Sequence, residues 1–99
     1  MSHRGSLLAL PSGLYAWPVV DWRQIDEASL ARVFAEPAGT IDHLLIGMGP
    51  DLALLPSSLA ARLRLAAIVP EPMATGAAAR TYNILLGEGR LVAAALIAV

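Results

Sequence analysis

The chain has 99 residues, 57% of them hydrophobic and 15% charged, with a net charge of −1. That composition excludes a disordered tether, which needs low hydrophobicity and high net charge, and the length limits the chain to one small domain. All seven basic residues are arginines, scattered so that no cluster could neutralise a row of phosphates, which sets nucleic acid aside as a partner. So little polar surface predicts an exposed apolar patch and self-association.

The start, MSHRGS, lacks the basic segment and apolar stretch of a secretory signal, and residues 1–5 read as a disordered lead or a cloning remnant. A short apolar run, 6–10, closes on the turn signal Pro11-Ser12-Gly13, and residues 14–18 resume as an extended segment carrying Tyr15 and Trp17. Ile25, Leu30, Val33 and Phe34 then recur at helical spacing. Asp26 suits the unpaired amides of that helix's first turn, and Pro37 and Gly39 end it. HLLIGM, residues 43–48, is short, apolar and bounded by glycine and proline, as a buried strand is. Pro56 suits the first position of a helix whose Leu59, Leu63 and Ala66 share one face. Residues 67–69 predict a short strand ended by Pro70 and Pro72. Thr75 is expected to cap a helix running to about residue 86, with Gly87 as its left-handed terminator. Residues 91–98 show no polar alternation, so both faces should be covered and the strand should lie inside the sheet. This apolar run is far shorter than the roughly 18 residues that cross a bilayer, so no transmembrane segment is expected. With no cysteine in the chain, disulfides and thiolate metal sites are excluded, and the chain reads as soluble and cytoplasmic. Strands separated by helices imply a mostly parallel core with helices packed on it, antiparallel members being allowed near the two ends.

Two constellations invite chemistry. Gly47 and Gly49 supply G-x-G at a strand end, and Glu71 follows the next strand about 20 residues on, as in a dinucleotide-binding unit. Leu52 stands at the third glycine position, however, and the loop to Pro56 is long for a tight turn. Close passage of backbone is the stronger reading. Thr75 and Gly76 at a helix start, with Arg80 and Asn83 on the following turns, form a candidate anion site, because free amides and an arginine both attract negative charge. The competing reading makes Thr75 a cap only and pairs Arg80 with Glu71 or Glu88. Tyr82 reads as a core ring. His43 follows Asp42, so the two point to opposite faces of a strand, and His3 lies in the start. Ser12 lacks the first glycine of a nucleophile elbow. No catalytic set, metal site or cofactor is predicted. Tyr15, Trp17 and Trp22 read as a packing cluster, with an exposed aromatic anchor for a partner as the alternative.

GSLLALPSGLYAWPV, LLIGMG and EPMATGAAARTYNILLGEGRLVAAAL, which lie within residues 5–99, resemble a family of small domains of unknown function. That family includes the mitochondrial respiratory complex I assembly factor 3 and an adipogenesis-associated mammalian protein. The most specific pattern is E-x-M-x-T-x-x-A-x-R-T-Y-N followed by E-G-R. The positions that match are Gly47, Gly49, Glu71, Met73, Thr75, Arg80, Thr81, Tyr82, Asn83, Glu88 and Arg90. The resemblance implies a three-layer α/β domain with a mixed central sheet, the C-terminal strand central and antiparallel to its neighbours, and helices packed on the sheet. It brings no catalytic residues. It implies a non-enzymatic protein-interaction or assembly-factor-like module, tied to respiratory-complex biogenesis by the resemblance alone, with an unidentified protein partner and a homo-oligomer as expected associations. The alternative is a small-anion or nucleotide-binding domain, an enzyme in that case, using the Gly47/Gly49 loop and the helix start that holds Thr75, Gly76 and Arg80. Family members carry further extended sequence before GSLLALP, so the chain reads as shortened, and a missing strand would leave a sheet edge open to another copy.

Overall fold

A computed structural model describes residues 5–99; the reading of residues 1–4 and of His3 lies outside the described residues. In chain order the elements are β1 (Ser6–Leu10), β2 (Gly13–Trp17), α1 (Ala31–Ala35), β3 (His43–Gly47), α2 (Ser57–Leu65), β4 (Val69–Met73), α3 (Thr75–Gly87) and β5 (Val92–Leu96). Among the described residues the strands form one five-stranded sheet in the order β2-β1-β5-β3-β4.

The C-terminal strand is central, as its unbroken apolar run demands. β1 is antiparallel to β2 and β5, while β3 is parallel to β4 and β5. The antiparallel orientation expected of β5 therefore holds toward β1 alone. Toward β3 it runs parallel, because α2 and α3 each carry the chain back across the sheet so that the next strand enters from the same end.

Successive residues of the inner strands feed opposite layers. Leu8, Leu44, Ile46, Ala93 and Ala95 join a cluster with Val33 of α1 and Leu63 of α2. Ala9, Leu45, Val92 and Ala94 join Ala78, Tyr82 and Leu85 of α3. Leu44, Leu45 and Ile46 are wholly buried, and each such side chain stabilises the fold by roughly 1.5–3 kcal/mol. The alanines under α3 let the helix backbone come close to the sheet.

Several local expectations shift. Asp26 and Ser29 exchange hydrogen bonds around a turn, Ser29 N–H to Asp26 Oδ1 at 2.7 Å and Asp26 N–H to Ser29 Oγ at 3.0 Å. Regular helix covers only Ala31–Ala35, because Glu36 before Pro37 is held extended at φ −66° and ψ 146°. A 3₁₀ turn, Trp22–Gln24, precedes it and is capped by Asp21. Hydrogen bonds from Arg23 hold the Asp21 carboxyl well below the usual carboxylate range. Pro56 stands one residue before α2 and not at its first position.

β4 runs straight through Pro70 and Pro72, the residues expected to end it. Among the described residues the strand pairs with β3 alone, and Val69 N–H donates to Asp42 O at 2.8 Å. N–H groups alternate sides along a strand, so the donors that the prolines lack belong to the outer edge, where no ladder needs them. Gly87 is helical, and the left-handed residue after α3 is Gly89 at φ +75°. There Gly89 N–H donates to Leu86 O and Arg90 N–H to Leu85 O, which satisfies the last turn.

Candidate functional site

β3 ends at Gly47 directly beneath the first residue of α3. A Cβ on Gly47 would lie 2.9 Å from both Cα and Oγ1 of Thr75 and 3.1 Å from Leu96 Cδ2, so only glycine lets strand and helix meet this closely. Gly49 follows with φ +111°, a conformation that favours glycine. The close-passage reading of this G-x-G fits at Gly47; at Gly49 a Cβ would meet nothing within 4 Å, and its backbone angle, not a close neighbour, is what favours glycine.

Thr75 is no N-cap. Ala74 holds that position with no side-chain cap, and the Thr75 hydroxyl turns inward. It donates to Ile97 O at 2.8 Å and accepts from Gly49 N–H at 3.0 Å, while Thr75 N–H donates to Gly49 O at 2.8 Å. Ile97 N–H in turn donates to Gly47 O at 3.0 Å. The hydroxyl serves the end of β5 and the loop after β3 because their groups are buried and would otherwise stay unpaired, a costlier defect than an uncapped exposed turn.

The outward face of α3 exposes Gly76, Ala77, Arg80 and Asn83, while Ala78, Tyr82 and Leu85 pack on the sheet, Tyr82 as a core ring. Arg80 does not pair with Glu71 or Glu88; among the described residues it forms no ion pair. Glu71 sits opposite Leu45 in the β3–β4 ladder, on the face of the sheet that α3 covers, whereas Arg80 looks away from the sheet. Glu71 Oε2 instead lies 3.2 Å from His43 Nδ1, an atom closed off from water without an aligned hydrogen bond. Sequence reasoning missed this pair; its signal was the parallel register, which brings positions 43 and 71 onto one face. Met73 is half-buried against the α3 layer, Thr81 is half-exposed, and Glu88 and Arg90 are exposed around the helix end. The site thus divides in two. The Gly47–Thr75 junction spends its donors internally, and the exposed first turn of α3 with Arg80 offers an anion only a surface contact.

Trp17 is 4% exposed and its Nε1–H donates to Ser29 O at 2.8 Å, so it packs, whereas Trp22 is 41% exposed with the Arg23 guanidinium 5.7 Å from its ring. Tyr15 lies under the Arg32 guanidinium at 4.3 Å. A cleft of about 220 Å³ between α1 and the segment after α2 is lined by Val33, Phe34, Ile41, Ala66 and Ile68, away from the residues singled out by sequence. Among the described residues no three metal-ligating side chains converge.

Residues 1–97 match the family described as protein of unknown function, DUF498/DUF598. The chain belongs to the DUF498/DUF598 family. This DUF498/DUF598 chain is similar to a crystal structure of an outer membrane protein from Bartonella henselae, at 43% identity and a TM-score of 0.92, over 99% of this chain and 81% of that one. It is similar to an NMR structure of a Rhodopseudomonas palustris protein at 52% identity and a TM-score of 0.89, over 100% and 73% of the two chains. It is also 29% identical over 93 residues to the NADH dehydrogenase (ubiquinone) 1 alpha subcomplex assembly factor 3 of Xenopus tropicalis, covering 94% of this chain and 50% of the frog protein. The family resemblance carried by EPMATGAAARTYNILLGEGR is thereby shown, and the mixed-sheet α/β fold with it. The chain spans only half the length of the frog relative.

Proposed function

We propose that this DUF498/DUF598 protein is a non-enzymatic interaction module that acts in the biogenesis of a respiratory complex. The observation that carries this is the match of nearly the whole domain, 94% of it, to an assembly factor. Two features support it. The junction of Gly47 and Thr75 is packed shut by its own hydrogen bonds. The loop leaving β3 holds Leu52 at 63% and Leu54 at 83% exposure, apolar anchors of the kind that protein partners bury. Covalent cross-linking of the tagged chain in its native cell, followed by mass spectrometry, is expected to recover respiratory-complex subunits. A Leu52→Ser, Leu54→Ser variant should lose them. Recovery of no such subunit by the unmodified chain overturns the proposal.

The anion reading keeps one support: Gly76 and Arg80, one helical turn apart, are exposed on one face of α3. A ligand held there stabilises the folded state by linkage. In thermal scans with phosphate or nucleotides, the reading requires a rise in melting temperature that Arg80→Ala abolishes. Without ligand, Arg80→Ala should stay within about 0.5 kcal/mol of the parent, as exposed substitutions do. No ligand-dependent rise removes the reading.

A further inference from the structure

Among the described residues β2 and β4 each have one unpaired side, and they present opposite chemistry to it. On β4 the outward backbone positions belong to Pro70 and Pro72, which have no N–H to offer. On β2 the pairs Leu10–Gly13, Leu8–Tyr15 and Ser6–Trp17 close a two-residue turn, so these are the pairs that exchange hydrogen bonds. Leu14 and Ala16 therefore aim their N–H and C=O groups away from β1, into the open edge. Both residues are exposed, Leu14 to 75%, and residues 13–17 carry no charge.

We propose that two copies of this chain join edge to edge through β2, antiparallel about a two-fold axis at Tyr15. In that register Leu14 faces Ala16 of the second copy and Ala16 faces its Leu14. Every outward N–H and C=O of one strand then meets its complement on the other, giving four backbone hydrogen bonds, with apolar side chain against apolar side chain. The neighbouring two-fold registers do worse. An axis at Leu14 sets Ala16 against the Pro11-Ser12 turn, and an axis at Ala16 sets Leu14 against Pro18, which cannot donate. The complement of this edge is thus the edge itself; the strand's own residues carry no charge, and the charges nearest the axis, Arg32 on the Tyr15 ring and Glu36 on Ser12, are of opposite sign. The paired sheets form one ten-stranded sheet whose outer edges are both β4, so growth stops at two copies. This inference stands apart from the assembly role proposed above.

The chain has no cysteine, so Tyr15→Cys introduces a single thiol. At the axis the non-hydrogen-bonded pair sets the two Cα atoms about 4.5 Å apart, within the range of a disulfide. Mild oxidation is expected to link this variant into a covalent dimer, and Leu14→Cys, off the axis, should link about tenfold more slowly or less. Sedimentation equilibrium should give the mass of two chains for the unmodified protein. Ala16→Pro repeats on β2 the device found on β4 and should raise the dimer dissociation constant at least about tenfold with unchanged circular dichroism. If that variant fails to fold, Ala16→Lys removes the pairing by charging the edge. A protein that sediments as one chain at all concentrations overturns the proposal. So does a dimer indifferent to the variant at position 16, equal cross-linking at 14 and 15, or a different polypeptide on β2 of a monomeric chain.

Discussion

At Gly47 and Thr75 single atoms decide the packing. A methyl group on Gly47 meets the backbone of Thr75, which cannot swing aside as a side-chain tip could. Gly47→Ala is therefore expected to destabilise by about 1–3 kcal/mol in urea denaturation, the range of an overpacked core. Gly76→Ala, with open space around its Cβ, should change stability by less than about 0.5 kcal/mol. Thr75→Val keeps the shape and deletes the hydroxyl, leaving Ile97 C=O and Gly49 N–H unpaired. It should cost about 2 kcal/mol or more, and Thr75→Ser, which retains the bonds, clearly less. A loss for Ser with none for Val would place the role of Thr75 in its methyl group, and not in its hydroxyl. The sequence showed that backbone passes close at Gly47, because a strand-end G-x-G with a poor third position has few other uses. It could not show the inward turn of Thr75, whose partners lie 22 and 26 residues away and meet it only once the sheet is built.

Elements were legible where periodicity is local and misplaced where a neighbour decides. The helix near 57–65 followed from Pro56 and apolar spacing, and the covered last strand from its unbroken apolar run. The helix at 75–87 was found through end signals, Thr75 and Gly87, that take other roles in the structure. The strand across Pro70 and Pro72 was not legible, since a proline is tolerated or not according to which side of the strand is paired. Helix ends show the same limit. α2 and α3 finish with the same pair of back-bonds, but the left-handed residue is Ala67 at φ +62° after α2 and Gly89 at φ +75° after α3. An alanine there carries the clash of Cβ with the following carbonyl, about 1 kcal/mol or more. Ala67→Gly should accordingly stabilise by about 0.5–1 kcal/mol even though glycine costs entropy in the unfolded chain. Gly89→Ala should destabilise by about 1 kcal/mol, while Gly87→Ala, inside the helix with nothing near its Cβ, should be neutral or stabilising. A loss at Gly87 as large as that at Gly89 would return the terminator to the position read from sequence.

For the whole molecule, the succession of apolar strands separated by helices makes a helix-covered sheet the expected arrangement, its strands feeding two layers, so the fold class could be read before its topology. What the pattern could not reveal was the asymmetry of the edges, because it lies in backbone direction and not in hydropathy. β4 is guarded by two missing donors and β2 by none. If the prolines are what halt sheet growth, restoring their N–H groups should matter little inside one chain and greatly between chains. Pro70→Val with Pro72→Val keeps apolar bulk and strand propensity and should retain the parent's far-ultraviolet circular dichroism. It should also open a second pairing edge, so that chains joined through β2 add further through β4 and light scattering climbs with concentration past two copies. Adding Ala16→Pro to that variant closes β2 again and should return growth to two copies, now joined through β4. A double variant whose mass never exceeds the parent's would show that bulk or twist, and not the absent donors, protects this edge.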